Sequence, residues 1–171
     1  MALDDHVRRF HPVTLGLLTL FSIVELCITA WLQAHYNAHH NYPNLSTRDR
    51  TTFLLFASSW TIFFSLAFIT LFMHSASTGS VLTSVASHFV IFFMTWVFWT
   101  AGAASITSAL GGGIDCSNAG IPYCDQLMAE MAFAWICWAF VTIFLIAILG
   151  LGIRTIRRGS GYRGQLVSHT Y

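Results

Sequence analysis

Lysine is absent from this chain, and only 9% of its residues carry a charge. Its eight basic side chains are all Arg and nearly balance seven acidic ones, so a net charge of +1 offers no basic surface for nucleic acid. Soluble domains carry about a quarter charged residues. A chain this poor in charge, and 56% hydrophobic, belongs in a bilayer. No GxxxxGK, GxSxG, HExxH or CxxC occurs, so phosphate-cradling, nucleophile-elbow, zinc-protease and thiol-exchange chemistry lack their residues, and no enzyme is expected. The polar segments are too short to bury a core of their own.

What is present is a series of long apolar runs at residues 13–32, 52–72, 84–110 and 127–153. At ~1.5 Å per residue, each crosses ~30 Å of hydrocarbon as a helix. The expected fold is an all-α integral membrane protein, its four spans packed as an antiparallel left-handed bundle. Residues 1–11 form a polar N-terminal tail, residues 12–153 the membrane domain, and residues 154–171 a basic C-terminal tail. Pro12 suits the first turn of a helix, where a missing N–H costs nothing. Arg8 and Arg9 before an apolar run also suit a secretory leader. The run exceeds a typical h-region of ~7–15 residues and Glu25 interrupts it, so an uncleaved first span is expected.

Sidedness follows from the arginines. With four crossings both tails share a side, and they hold Arg8, Arg9, Arg154, Arg157, Arg158 and Arg163 against Arg48 and Arg50 opposite. Both termini are therefore expected in the cytoplasm. Arg154, Arg157 and Arg158 are also placed to meet anionic lipid headgroups. Asn44-Leu45-Ser46 is a glycosylation sequon, usable only on the opposite face. Cys27 and Cys137 fall inside apolar runs, which leaves Cys116 and Cys124, on the arms of GGGIDCSNAGIPYC, as the pair able to bridge on that oxidising face.

Two features within the spans carry the functional alternatives. Ala101, Ser105, Ala109 and Gly113 recur at four-residue spacing, which lets another helix approach closely. Packing within the chain is the preferred use of this stripe, and packing against another copy the alternative. Glu25 lies mid-span, where a charged carboxylate costs about 3 kcal/mol, so it should face the bundle and be neutral. Ser58, Ser59, Trp60, Trp99 and Thr100 fall at similar depth and could satisfy the carboxyl without a counter-charge. His35, His39 and His40 crowd one loop without completing a metal set, and no metal or cofactor is expected beyond bound lipid or sterol. The tryptophan pairs of WVFW and WICW read as packing and depth anchors.

Four spans, a first loop without cysteine, a short last loop with a Cys pair, and the run ALGGGIDCSNAGIPYC leading into QLMAEMAFAWICWAF resemble the MARVEL-domain proteins, the fungal members most. The resemblance implies a non-enzymatic tetraspan module that organises membrane domains or vesicles through lateral self-association and lipid contact. It places the protein in the plasma membrane or in secretory or vesicle membranes. Its partners would be lipids, further copies of itself and other membrane proteins, with no nucleic acid. The alternative from another class is a small channel or transporter subunit using an intramembrane site at Glu25.

Overall fold

The structure, a computed structural model, describes residues 2–74, 85–118 and 120–157. Of these, 2–12, 72–74, 85–86, 151–152 and 154–157 are described by backbone alone. Four helices make up the described chain: α1 (Ala2–His39), α2 (Leu45–His74), α3 (Val85–Leu110) and α4 (Cys124–Arg157), with no strand among the described residues. Each contains a stretch long and apolar enough to cross a membrane, at Val13–His39, Leu45–Leu71, Ser87–Leu110 and Cys124–Gly150. Each helix packs on its neighbours in the chain, and α1 closes the ring against α4.

The helices outrun the apolar runs. α1 starts at Ala2, well before Pro12, because ALDDHVRRFH contains no glycine or proline to break a helix. It continues past residue 32 to His39, so the expected first loop of residues 33–50 shrinks to residues 40–44. The break comes where His40 turns left-handed at φ 51° and its N–H reaches back to Tyr36 O at 3.0 Å. Asn44 then caps α2, its Oδ1 accepting from Thr47 N at 2.7 Å and Thr47 Oγ1 at 3.0 Å. α3 ends at two glycines that the backbone requires. Gly111 and Gly112 have φ of 69° and 96°, and the Gly112 N–H bonds Thr107 O at 3.0 Å in a Schellman-type closure. Gly113 therefore stands in the loop, beyond the helix whose stripe it was expected to complete.

The buried positions repeat alternately three and four apart. On α1 they are Leu15, Leu18, Ser22, Glu25, Thr29, Leu32 and Tyr36; on α2, Thr47, Thr51, Leu54, Ser58, Thr61, Ser65 and Phe68. α4 repeats the pattern through Leu127, Glu130, Ala134, Cys137, Val141, Phe144 and Ile148. A seven-residue repeat is the signature of knobs-into-holes packing with a left-handed supercoil. The seams also hold much of the polar content, while Leu20, Phe63, Val90, Phe93, Ile143 and Ile146 stand outward and exposed. A water-soluble bundle distributes its residues the other way round. This surface suits hydrocarbon.

Candidate functional site

The chain has two glutamates, Glu25 and Glu130, and both are 0% exposed. The aspartates with described side chains, Asp49, Asp115 and Asp125, all stand at the surface. Glu25 and Glu130 occupy the facing seams of α1 and α4. Ser22 Oγ lies 3.9 Å from Cys137 Sγ, and the Tyr36 ring 6.0 Å from the Tyr123 ring, which fixes the register of the two antiparallel helices. That register sets Glu25 opposite Ala134 and Glu130 opposite Thr29, about one helical turn or ~6 Å apart along the bundle. Glu130 Oε2 accepts a hydrogen bond from Thr51 Oγ1 at 3.2 Å. Glu130 Oε1, both oxygens of Glu25 and the Tyr36 hydroxyl are buried without a partner among the described residues.

The groups expected around Glu25 are engaged elsewhere. Trp99 Nε1 donates to Thr61 Oγ1 at 2.9 Å, Trp60 Nε1 to Thr95 Oγ1 at 3.1 Å, and Thr100 Oγ1 accepts from Trp138 Nε1 at 2.9 Å. Trp96 to Thr142 and Trp135 to Thr107 complete the set at 3.0 and 2.9 Å. Each of these threonines donates onward to the carbonyl four residues earlier, as Thr61 does to Ala57 O at 2.7 Å and Thr142 to Trp138 O at 2.8 Å. Ser58 and Ser59 likewise bond back to Leu54 O and Leu55 O, both within α2. The result is a row of indole–hydroxyl latches joining α2 to α3 and α3 to α4. Trp31, the tryptophan of α1, instead stacks on the His35 ring at 3.8 Å.

Equal depth therefore did not mean equal direction. Ser58, Ser59, Trp60, Trp99 and Thr100 share a level with Glu25, but none is hydrogen-bonded to it. The residue that sequence reasoning missed is Glu130, which stands near the start of the fourth apolar run and passes there for an interfacial carboxylate. Its phase held the signal, since Glu130 lies one heptad before Cys137 and in register with Leu127 and Ala134.

The small-residue stripe also lies elsewhere than expected. Ala101 and Ala104 are exposed, and Ser105 and Ala109 half-buried, whereas Gly102, Ala103 and Ile106 make the inward face. Packing within the chain thus runs through the residues beside the stripe. Among the described glycines Gly102 is the most tightly packed, since a Cβ there would fall 2.5 Å from Leu54 Cδ2. Cys116 and Cys124 form a disulfide with Cα atoms 5.6 Å apart. Asn44 is exposed as the cap of α2. Among the described residues no three His, Cys, Asp or Glu side chains gather as a metal set. Arg154 and Arg157 belong to α4 by their backbone, and Arg158 lies outside the described residues.

A model of the MARVEL family, described as a membrane-associating domain, matches residues 7–147, which takes in all of α2 and α3 and most of α1 and α4. The chain belongs to the MARVEL family. No curated protein and no solved structure matches it significantly. Membership accounts for the tetraspan architecture and for association with the membrane. The carboxyl pair and the latches are features of this MARVEL chain's own side chains.

Proposed function

We propose that this MARVEL protein organises the membrane it occupies through lipid contact and lateral self-association, without catalysis. The observation that carries the reading is the distribution of side chains. Bulky apolar groups cover the outside, polar groups are turned into the seams, and α3 leaves Ala101 and Ala104 exposed. In lipid, an uncovered patch of small residues is where a second helix gains most from close packing. Both termini lie in the cytoplasm on this reading, of a plasma, secretory or vesicle membrane, with the disulfide and Asn44 on the opposite face. The tail residues Arg154, Arg157 and Arg158 meet anionic headgroups. Cysteine at position 101 or 104 tests the association in native membranes. Cross-linked dimers from Ala101→Cys, and none from a cysteine at exposed Ile143, are expected. Equal or absent cross-linking at both sites rules the interface out.

A second reading, a small channel or transporter subunit, draws support from Glu130 joining Glu25 in the core. Against it stand Leu15, Leu18, Phe68, Phe92, Phe144 and Ile148, which pack the seams at the end where the termini lie. Ion flux into vesicles that is abolished by Glu25→Gln would establish the transporter instead.

A further inference from the structure

We propose that Glu25 and Glu130 form an occluded proton-binding pair that exchanges with the disulfide end of the bundle and is closed toward the termini. Several independent features converge on it. The two are the whole glutamate content of the chain, and both are fully buried in membrane-spanning segments. A buried carboxylate without a counter-charge is costly enough to take up a proton instead. The titratable groups that approach the pair supply no positive charge. From α1 there is Tyr36, and from α4 Cys137. α2 brings the hydroxyl of Thr51, while neighbouring Arg50 turns away to donate to Ser105 O on α3 at 2.8 Å. The titratable residue of α3 is His88, at the far end of that helix. The register sets Glu25 and Glu130 about one helical turn apart, near enough for a charge on Glu130 to act on Glu25 and couple their proton equilibria.

Access is asymmetric. Toward the termini Ser22 and Ser65 are still buried in the seams, and beyond them Leu18, Phe68, Phe92 and Phe144 close the bundle. Toward the disulfide polar atoms resume past the facing Leu32 and Leu127. The unpartnered Tyr36 hydroxyl comes next, then Tyr123, whose hydroxyl accepts from Asn41 Nδ2 at 3.0 Å, and Asn41 Oδ1 is again buried without a partner. These buried polar atoms offer a proton hydrogen-bonding partners at successive levels toward the disulfide and no charged stopping point. The latches tie α2, α3 and α4 together but not α1, so the pair spans the contact between α1 and α4, where no indole latch holds.

Because the chain has two glutamates, carboxyl-13C glutamate marks the site and nothing else. The full-length protein in lipid vesicles would be titrated by infrared difference spectroscopy. The expected result is an isotope-shifted carboxylic-acid C=O band at neutral pH that falls as the pH rises. In Glu130→Gln the remaining acid, Glu25, should titrate with its midpoint moved down by about one pH unit, as for coupled sites. Tyr36→Phe should slow the exchange, and the wild-type measurement stands even where a variant fails to fold. An absent acid band would mean ionised carboxylates held by a cation. A band constant to high pH would mean a sealed structural pair, and an unmoved midpoint in Glu130→Gln would mean independent acids. Each of these three results overturns the proposal.

Discussion

Trp99 of α3 reaches Thr61 of α2 in the buried centre of the bundle, its indole N–H donating at 2.9 Å to a hydroxyl that itself donates to Ala57 O at 2.7 Å. One hydroxyl thus satisfies an indole and returns its proton to its own helix, so no polar atom of the group is left over. Thr61→Val keeps the shape and removes the acceptor, leaving a buried N–H unpaired. The expected loss is about 1 kcal/mol, within the range of interhelical hydrogen bonds in membranes. Denaturant unfolding in lipid–detergent micelles checks it. Thr70→Val is the control, because the exposed Thr70 hydroxyl bonds only to Leu66 O and Ala67 O of its own helix, and its change should be near zero. Equal losses in the two variants would remove the latch from the account.

Gly102 of α3 packs directly against the Leu54 side chain of α2. A methyl group there would sit 2.5 Å from Leu54 Cδ2 and 3.3 Å from Leu54 Cγ, so the leucine must move or the helices part. Gly102→Ala should cost about 1–3 kcal/mol as an overpacked core does, even though alanine is the better helix former. Leu54→Ala opens the space, so the double variant should be more stable than the sum of the two single changes predicts. Additive losses would show that the contact is slack.

These relationships divide what a sequence discloses from what it withholds. The spans were legible because ~20 apolar residues in a row have one use, and the Cys116–Cys124 bridge because the other two thiols lie within spans. The inward faces were harder to read. In lipid the outside is as apolar as the inside, so hydropathy gives depth but not direction, and Trp60, Trp99 and Thr100 were placed beside Glu25 when they point to other helices. The heptad phase supplies the direction, and it singles out Glu130 as readily as Glu25. Helix ends escaped a hydropathy reading because hydrogen bonds set them. The chain from Gln33 to His39 is polar yet helical, and the cap that starts α2 is Asn44, a residue notable in the sequence only as a sequon.

Asp115 lies outside the spans, and its carboxyl is held below the usual aspartate range by the Ser117 hydroxyl at 2.6 Å and the Ser117 N–H at 3.1 Å. Both bonds favour the charged form, so the turn they close is fully formed above the ordinary aspartate value. It loosens as the pH falls through the depressed one. Ser117→Ala removes the hydroxyl donor and should return the Asp115 midpoint part of the way toward its ordinary value. Carboxyl chemical shifts followed against pH check this, and an unchanged midpoint would show that the hydroxyl bond is not formed in lipid.

The disulfide joins Cys116 in the loop to Cys124, the buried first residue of α4, across a sequence separation of eight. Closing so short a loop is worth about 2.5 kcal/mol on the chain-entropy account. The loss on Cys116→Ser with Cys124→Ser should be partly local, because the indole latches between α3 and α4 do not involve the loop. Amides of the loop should therefore exchange faster, together with those around Tyr123, whose φ of 56° and bond to Asn41 lie next to the bridge. Amides in the latched middle of α3 should change little. Hydrogen exchange of the double-serine protein in lipid separates these outcomes. Uniform loss of protection along α3 and α4 would mean that the bridge, and not the latches, holds the two helices together.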